Sequence, residues 1–175
     1  MKMSQNTFCF HSSIIKSLTF FVLITSFSNC LSTEADKKNR KIIHTQAELL
    51  EAIKGLDTTY SPVGKQIYLV LPNQGCEGCI SVAENFVIQH YKTDQHIKYI
   101  FTKIVSKKLL RIKLSDSVMY SSQVILDSTN LIKYPEFNKT IYPMIVYIEN
   151  NTINHLNYQS PEDDGIMKME AYMKK

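Results

Sequence analysis

Apolar and polar positions change period several times along the chain, and the alternation predicts helices and strands in turn, the mark of an α/β sheet. Thr45-Gln46-Ala47-Glu48 has the Ser/Thr-x-x-Glu form of a capping box, and Ala47, Leu50, Ile53 and Leu56 follow at three-residue spacing. They predict a helix over 45–56 with Gly55 near its end. QIYLVLP, 66–72, is a nearly continuous apolar run, as in a strand buried on both faces. From Cys76 the period becomes helical, with Cys79, Val82, Ala83, Phe86, Val87, His90 and Tyr91 on one face and Glu77, Ser81, Glu84, Asn85 and Gln89 on the other. IKYIFTKI, 97–104, predicts a strand, SKKLLRIKL, 106–114, a short helix, and QVILD, 123–127, a third strand. Residues 128–140 carry no readable period. MIVYIENNTINHLNY, 144–158, predicts a hairpin turning at Asn150-Asn151, because Asn tolerates positive φ. Pro161-Glu162-Asp163-Asp164 then opens a last helix, with acids at its positive end and Lys174-Lys175 at the other. Met167, Met169 and Met173 read as its packing side.

The first 29 residues do not belong to this pattern. They carry Lys2, His11 and Lys16 and no acid, and the apolar run SLTFFVLITSFSN ends at Cys30. That run is well short of the ~20 residues that span a bilayer. The segment resembles a bacterial lipoprotein signal, which implies lipidation of Cys30 as the first mature residue and a place in the bacterial cell envelope, lipid-anchored and facing away from the cytoplasm. Asn29 stands where Gly, Ala or Ser is usual, so plain export and a retained anchor remain alternatives. STEADKKNRK, 32–41, is polar and mixed in charge; with Cys30 it reads as a tether over 30–41, leaving one domain over 42–175. Losing Lys2 and Lys16 with the leader lowers the formal charge from +4 to +2. Arg40 and Arg111 are the only arginines, so neither charge nor composition suggests a nucleic-acid partner.

With Cys9 in the leader and Cys30 carrying lipid, one pair remains, in LPNQGCEGCISVAENF, 71–86. The strand-to-helix pattern puts Cys76 and Cys79 at a helix N-terminus, where free N–H groups and the dipole stabilise a thiolate. Cys79, one turn in on the apolar face, is sheltered but within reach of Cys76. Exposed attacker and sheltered resolver are what dithiol exchange requires. Gly75 and Gly78, two of only five glycines, allow a sharp turn and open space around the sulfurs. A structural zinc site would need about four ligands, and His44, His90, His96 and His155 are scattered, so no metal is expected. A staple between residues three apart would constrain almost nothing.

The strand QIYLVLP running into CEGC at a helix start, with Tyr142-Pro143 ahead of MIVYIENNTI, resembles the thioredoxin-like superfamily, in particular its membrane-tethered envelope members. The resemblance implies a central mixed sheet of four or five strands flanked by helices, with an insertion within 105–140 ahead of a cis-proline hairpin. It implies that Cys76 attacks, that Cys79 resolves and forms a disulfide with it, and that a cis Pro143, with Tyr142, holds substrate backbone. The expected activity is thiol–disulfide exchange on exported proteins. A separate redox partner recharges the pair, because the chain has no flavin or nicotinamide fingerprint and so no cofactor of its own. The chain departs from the family at Gly75, where Trp is frequent, and at Glu77-Gly78, where Gly-Pro is frequent; no acid lies in QIYLVL. Glu77 resembles the acid of cytochrome c maturation reductases, which implies a proton-shuttling role, although an acid in the first helical turn also suits the dipole. A redox-inert binding module on the same fold remains the rival reading.

Overall fold

Residues 44–174 are described by the computed structural model; the leader over 1–29, Cys30 and the tether to 41 lie outside the described residues. Helix α1 (Gln46–Leu56) starts as its sequence predicts. The Thr45 hydroxyl accepts from the Glu48 amide while the Glu48 carboxylate accepts from the Thr45 amide. Leu49, Leu50 and Ile53 form its buried side, and Ala47 is exposed.

Strand β1 (Lys65–Pro72) is buried from Ile67 onward and leads through a short loop into α2 (Glu77–His90). Then come β2 (Ile97–Thr102), α3 (Lys107–Leu114), α4 (Asp116–Met119), β3 (Val124–Leu126), a 3-10 turn at Phe137–Lys139, the hairpin β4 (Met144–Glu149) and β5 (Thr152–Ser160), β6 (Asp163–Asp164) and α5 (Gly165–Met173). The strands form one six-stranded mixed sheet in the order β3-β2-β1-β4-β5-β6. β1, β2 and β3 run parallel, and β4 lies antiparallel to β1 with Lys65 opposite Glu149. Asn150 and Asn151 take φ of 49° and 64°, so the hairpin turns where the sequence predicts.

Both faces of the sheet are covered. Ile67, Leu69 and Leu71 meet Ala83, Phe86 and Val87 of α2, Leu110 and Leu114 of α3, and Ile166 and Met169 of α5. Tyr68, Val70, Met144 and Val146 face the other way, onto Leu49, Leu50 and Ile53. This two-sided burial is why β1 reads as a continuous apolar run instead of an alternating one.

Four expectations are corrected. The sheet has six strands, not four or five, because Asp163-Asp164, read from its charges as a helix start, pairs with Gln159-Ser160; Asp164 then caps α5 by accepting from the Met167 amide. On α2, Val82 faces solvent and Glu84 is buried, because Lys113 of α3 lies over Glu84 at 3.3 Å. Met167 is exposed, whereas Met169 packs in the core. The Tyr142–Pro143 bond is trans; among the described residues no peptide bond is cis.

The segment without a period, 128–140, is held near its start by one carboxylate. Asp127, fully buried, accepts from the Leu131 and Ile132 amides and from the Thr102 hydroxyl at 2.8–3.0 Å. Buried Ile132 and Tyr134 complete its attachment. Among the described residues no helix is long and apolar enough to cross a membrane.

Candidate dithiol site

Parallel strands bring their C-terminal ends to one edge, and an antiparallel neighbour starts there, so four loops converge beside α2. The Asn73 amide donates to the Thr102 carbonyl, the Val105 amide to Asn73 Oδ1, and the Lys103 amide to Asn130 Oδ1. Cys76 is the N-cap residue of α2, with extended backbone and a carbonyl that accepts from the Ile80 amide. Its sulfur is bonded to that of Cys79, with the Cα atoms 5.3 Å apart. Cys76 is half-buried and Cys79 is 7% exposed, so Cys76 is the more accessible residue of the pair. The first amides of α2 lack intrahelical partners and lie beside Cys76, where they would stabilise a thiolate in the reduced form. Glu77 stands exposed in the first turn.

The two glycines differ in kind. A Cβ on Gly78 would meet nothing within 4 Å. At Gly75, with φ of +148°, it would lie 2.2 Å from the Ile141 carbonyl oxygen. That carbonyl accepts from the Cys76 amide at 3.0 Å. The chain ahead of β4 therefore lies directly against the turn into α2, and no side chain larger than hydrogen fits between them.

Three consecutive carbonyls ahead of Pro143 are each held by a different donor: Thr140 by Lys103 Nζ at 2.7 Å, Ile141 by the Cys76 amide, and Tyr142 by the Tyr134 hydroxyl at 3.0 Å. The Tyr142 amide donates to the Lys139 carbonyl, and the Pro143 carbonyl accepts from the Gln159 amide. The amide and carbonyl of Tyr142 are thus paired within the protein, and it is the Ile141 carbonyl that bonds to the Cys76 amide. Burial, helped by nearby Lys133, lowers the Lys103 pKa below its ordinary value, and its ammonium stands 5.3 Å above the Tyr134 ring.

Ile141, Lys103 and Tyr134 went unread in the sequence. Ile141 adjoins Tyr142-Pro143, a signal that was available; Lys103 and Tyr134 sit in segments without a motif. His90 stacks on Phe86 with ring centroids 4.3 Å apart and pairs with Asp94 at 3.0 Å, away from the sulfurs. No three His, Cys, Asp or Glu side chains form a metal-ligating group among the described residues. No family model matches the chain, and neither a curated protein nor a solved structure matches it.

Proposed function

We propose that the chain is a thioredoxin-like thiol–disulfide exchange protein of the bacterial envelope, held to a membrane by lipid on Cys30 and acting on disulfides of exported proteins. The observation that carries this reading is the bonded pair at the start of α2, half-buried at Cys76 and buried at Cys79. The parallel β1–α2–β2 unit, with the Pro143-led hairpin antiparallel beside it, supports the superfamily reading.

In the reducing direction the Cys76 thiolate attacks one sulfur of a substrate disulfide, and the other leaves as a thiolate. Cys79 then loses its proton and attacks Cys76 Sγ. The protein disulfide closes, and the second substrate sulfur leaves. Two electrons have passed to the substrate, and a dithiol partner restores the reduced pair by the same steps. In this reading Glu77, exposed in the first turn of α2, assists the movement of protons to water. Oxidation of a substrate runs the sequence backwards.

A second reading, a redox-inert binding module, is favoured by the trans Pro143 and by the internally paired backbone of Tyr142. Trapping separates the two. With Cys79→Ser the resolving step is lost, and mixed disulfides between Cys76 and envelope proteins are expected to accumulate and to vanish in the Cys76→Ser/Cys79→Ser double variant. Absence of adducts in the single variant supports the module.

A further inference from the structure

At the edge where β2 and β3 begin, opposite the edge that carries Cys76, lies a cleft of about 610 Å³, within the range of small-molecule sites. Tyr91 and Lys92 just past the end of α2, Ser117 of α4 and the turn at Ser121-Ser122 supply its walls, and none of the residues lining it is acidic. Gln123 lines it too and is only 8% exposed. Strand β2 fixes its backbone, because the Gln123 carbonyl accepts from the Tyr99 amide at 2.8 Å. Its Nε2 donates to the Asp94 carbonyl at 2.9 Å, which leaves Oε1 a buried acceptor with no partner among the described residues. A buried acceptor left unpaired costs stability, and a donor entering the cleft would satisfy it.

Charge narrows the ligand further. Lys98 also lines the cleft, but the Asp57 carboxylate neutralises it at 2.7 Å. Lys92 is exposed and has no acidic partner among the described residues; its ammonium stands 5.3 Å from the centre of the Tyr91 ring. The Ser117 hydroxyl and Lys92 draw the pKa of the Tyr91 phenol below its ordinary value of 10.0, so an ammonium and two hydroxyls converge there. We propose that this cleft binds a monosaccharide bearing a carboxylate, with the carboxylate on Lys92, Tyr91 and Ser117 and a sugar hydroxyl donating to Gln123 Oε1. Hydroxyl and amide walls suit a polyol, whose hydroxyls both donate and accept. An apolar ligand would strip these groups of water without replacing their bonds. One uncompensated ammonium balances one carboxylate, whereas a phosphate dianion would bring a second charge that nothing on the walls offsets. The cleft lies away from the sulfurs, so the proposal does not depend on whether the dithiol exchanges.

Full-length protein is dialysed to equilibrium against radiolabelled glucuronate, with unlabelled glucuronate, glucose or inorganic phosphate as competitor. Saturable retention of glucuronate is expected, with glucose and phosphate each competing at least about ten-fold less well. Lys92→Gln is expected to weaken retention about ten-fold, the effect of one hydrogen bond to a charged group. Gln123→Leu removes the unpaired acceptor and is expected to weaken retention about five-fold, with folding verified by circular dichroism. Lys133→Gln, at an exposed lysine near Lys103 beyond the far end of β2, leaves retention unchanged. If Gln123→Leu fails to fold, Ser122→Ala on the exposed wall serves as the second variant with the same expectation. Three results would overturn the proposal: no saturable retention, glucose or inorganic phosphate competing as well as glucuronate, or retention unchanged in either Lys92→Gln or the second variant, which would place the sugar elsewhere.

Discussion

Gly75→Ala is expected to lower the unfolding free energy by about 3 kcal/mol, combining a backbone conformation that alanine disfavours with overpacking against a main chain that cannot rotate away. The added methyl would sit where the Ile141 carbonyl lies, so the bond from the Cys76 amide would also break. Gly78→Ala is the internal control. Nothing lies within 4 Å of its Cβ position, and alanine suits the first turn of α2, so the change is neutral or stabilising by up to about 1 kcal/mol. Urea midpoints of the two variants test the pair. Equal midpoints would mean that the segment ahead of β4 is not pressed against the turn at Gly75.

The second large effect lies away from the sulfurs. Asp57, at the end of α1 and 4% exposed, accepts from Lys98 at 2.7 Å, from the Tyr68 hydroxyl at 2.8 Å and from the amide and hydroxyl of Thr59. Burial alone would raise its pKa. The bonds from Lys98, Tyr68 and Thr59 outweigh it and hold the carboxyl below its ordinary value of 3.8. Asp57→Asn leaves Lys98 without its counter-charge and is expected to cost about 3 kcal/mol at neutral pH, the low end for breaking a buried pair, because Lys98 keeps some contact with water. A folded pKa below the unfolded one means that the unfolded state binds the proton more readily in acid. Its contribution is therefore complete above 3.8 and lost as pH falls through the folded value. Denaturant midpoints from neutral pH into acid should converge for the two proteins; a constant gap would contradict the assignment to Asp57 ionisation.

The readable parts of the fold were those decided within one element. The Thr45–Glu48 box, the two-sided burial of β1, the Asn-Asn hairpin and the cysteines at a helix start depend on residues a few positions apart, and local chemistry settled them. What went unread depends on distant partners. Glu84 is buried because α3 covers it, and Asp163-Asp164 is a strand because β5 extends to meet it. Residues 128–140 have no period because they are held by bonds to other segments, from Asp127 at Leu131 and Ile132 to Lys103 at Asn130 and Thr140. At the site, the deeper burial of Cys79 than of Cys76 was legible from helix placement. The role of Ile141 was not, because nothing in a sequence of side chains announces that a backbone carbonyl will press against Gly75. The expected cis bond at Pro143 rested on resemblance alone, and in the structure Ile141 stands nearest the turn.

The central claim is that Cys76 and Cys79 are chemically unequal. It is tested most directly by reducing the protein and following the alkylation rate of each cysteine against pH, peptide by peptide, so that Cys9 and Cys30 do not interfere. The account predicts that Cys76 reacts much faster than Cys79, with a midpoint below the free-thiol value of about 8.5. Equal rates, or a Cys76 midpoint at or above that value, would contradict it.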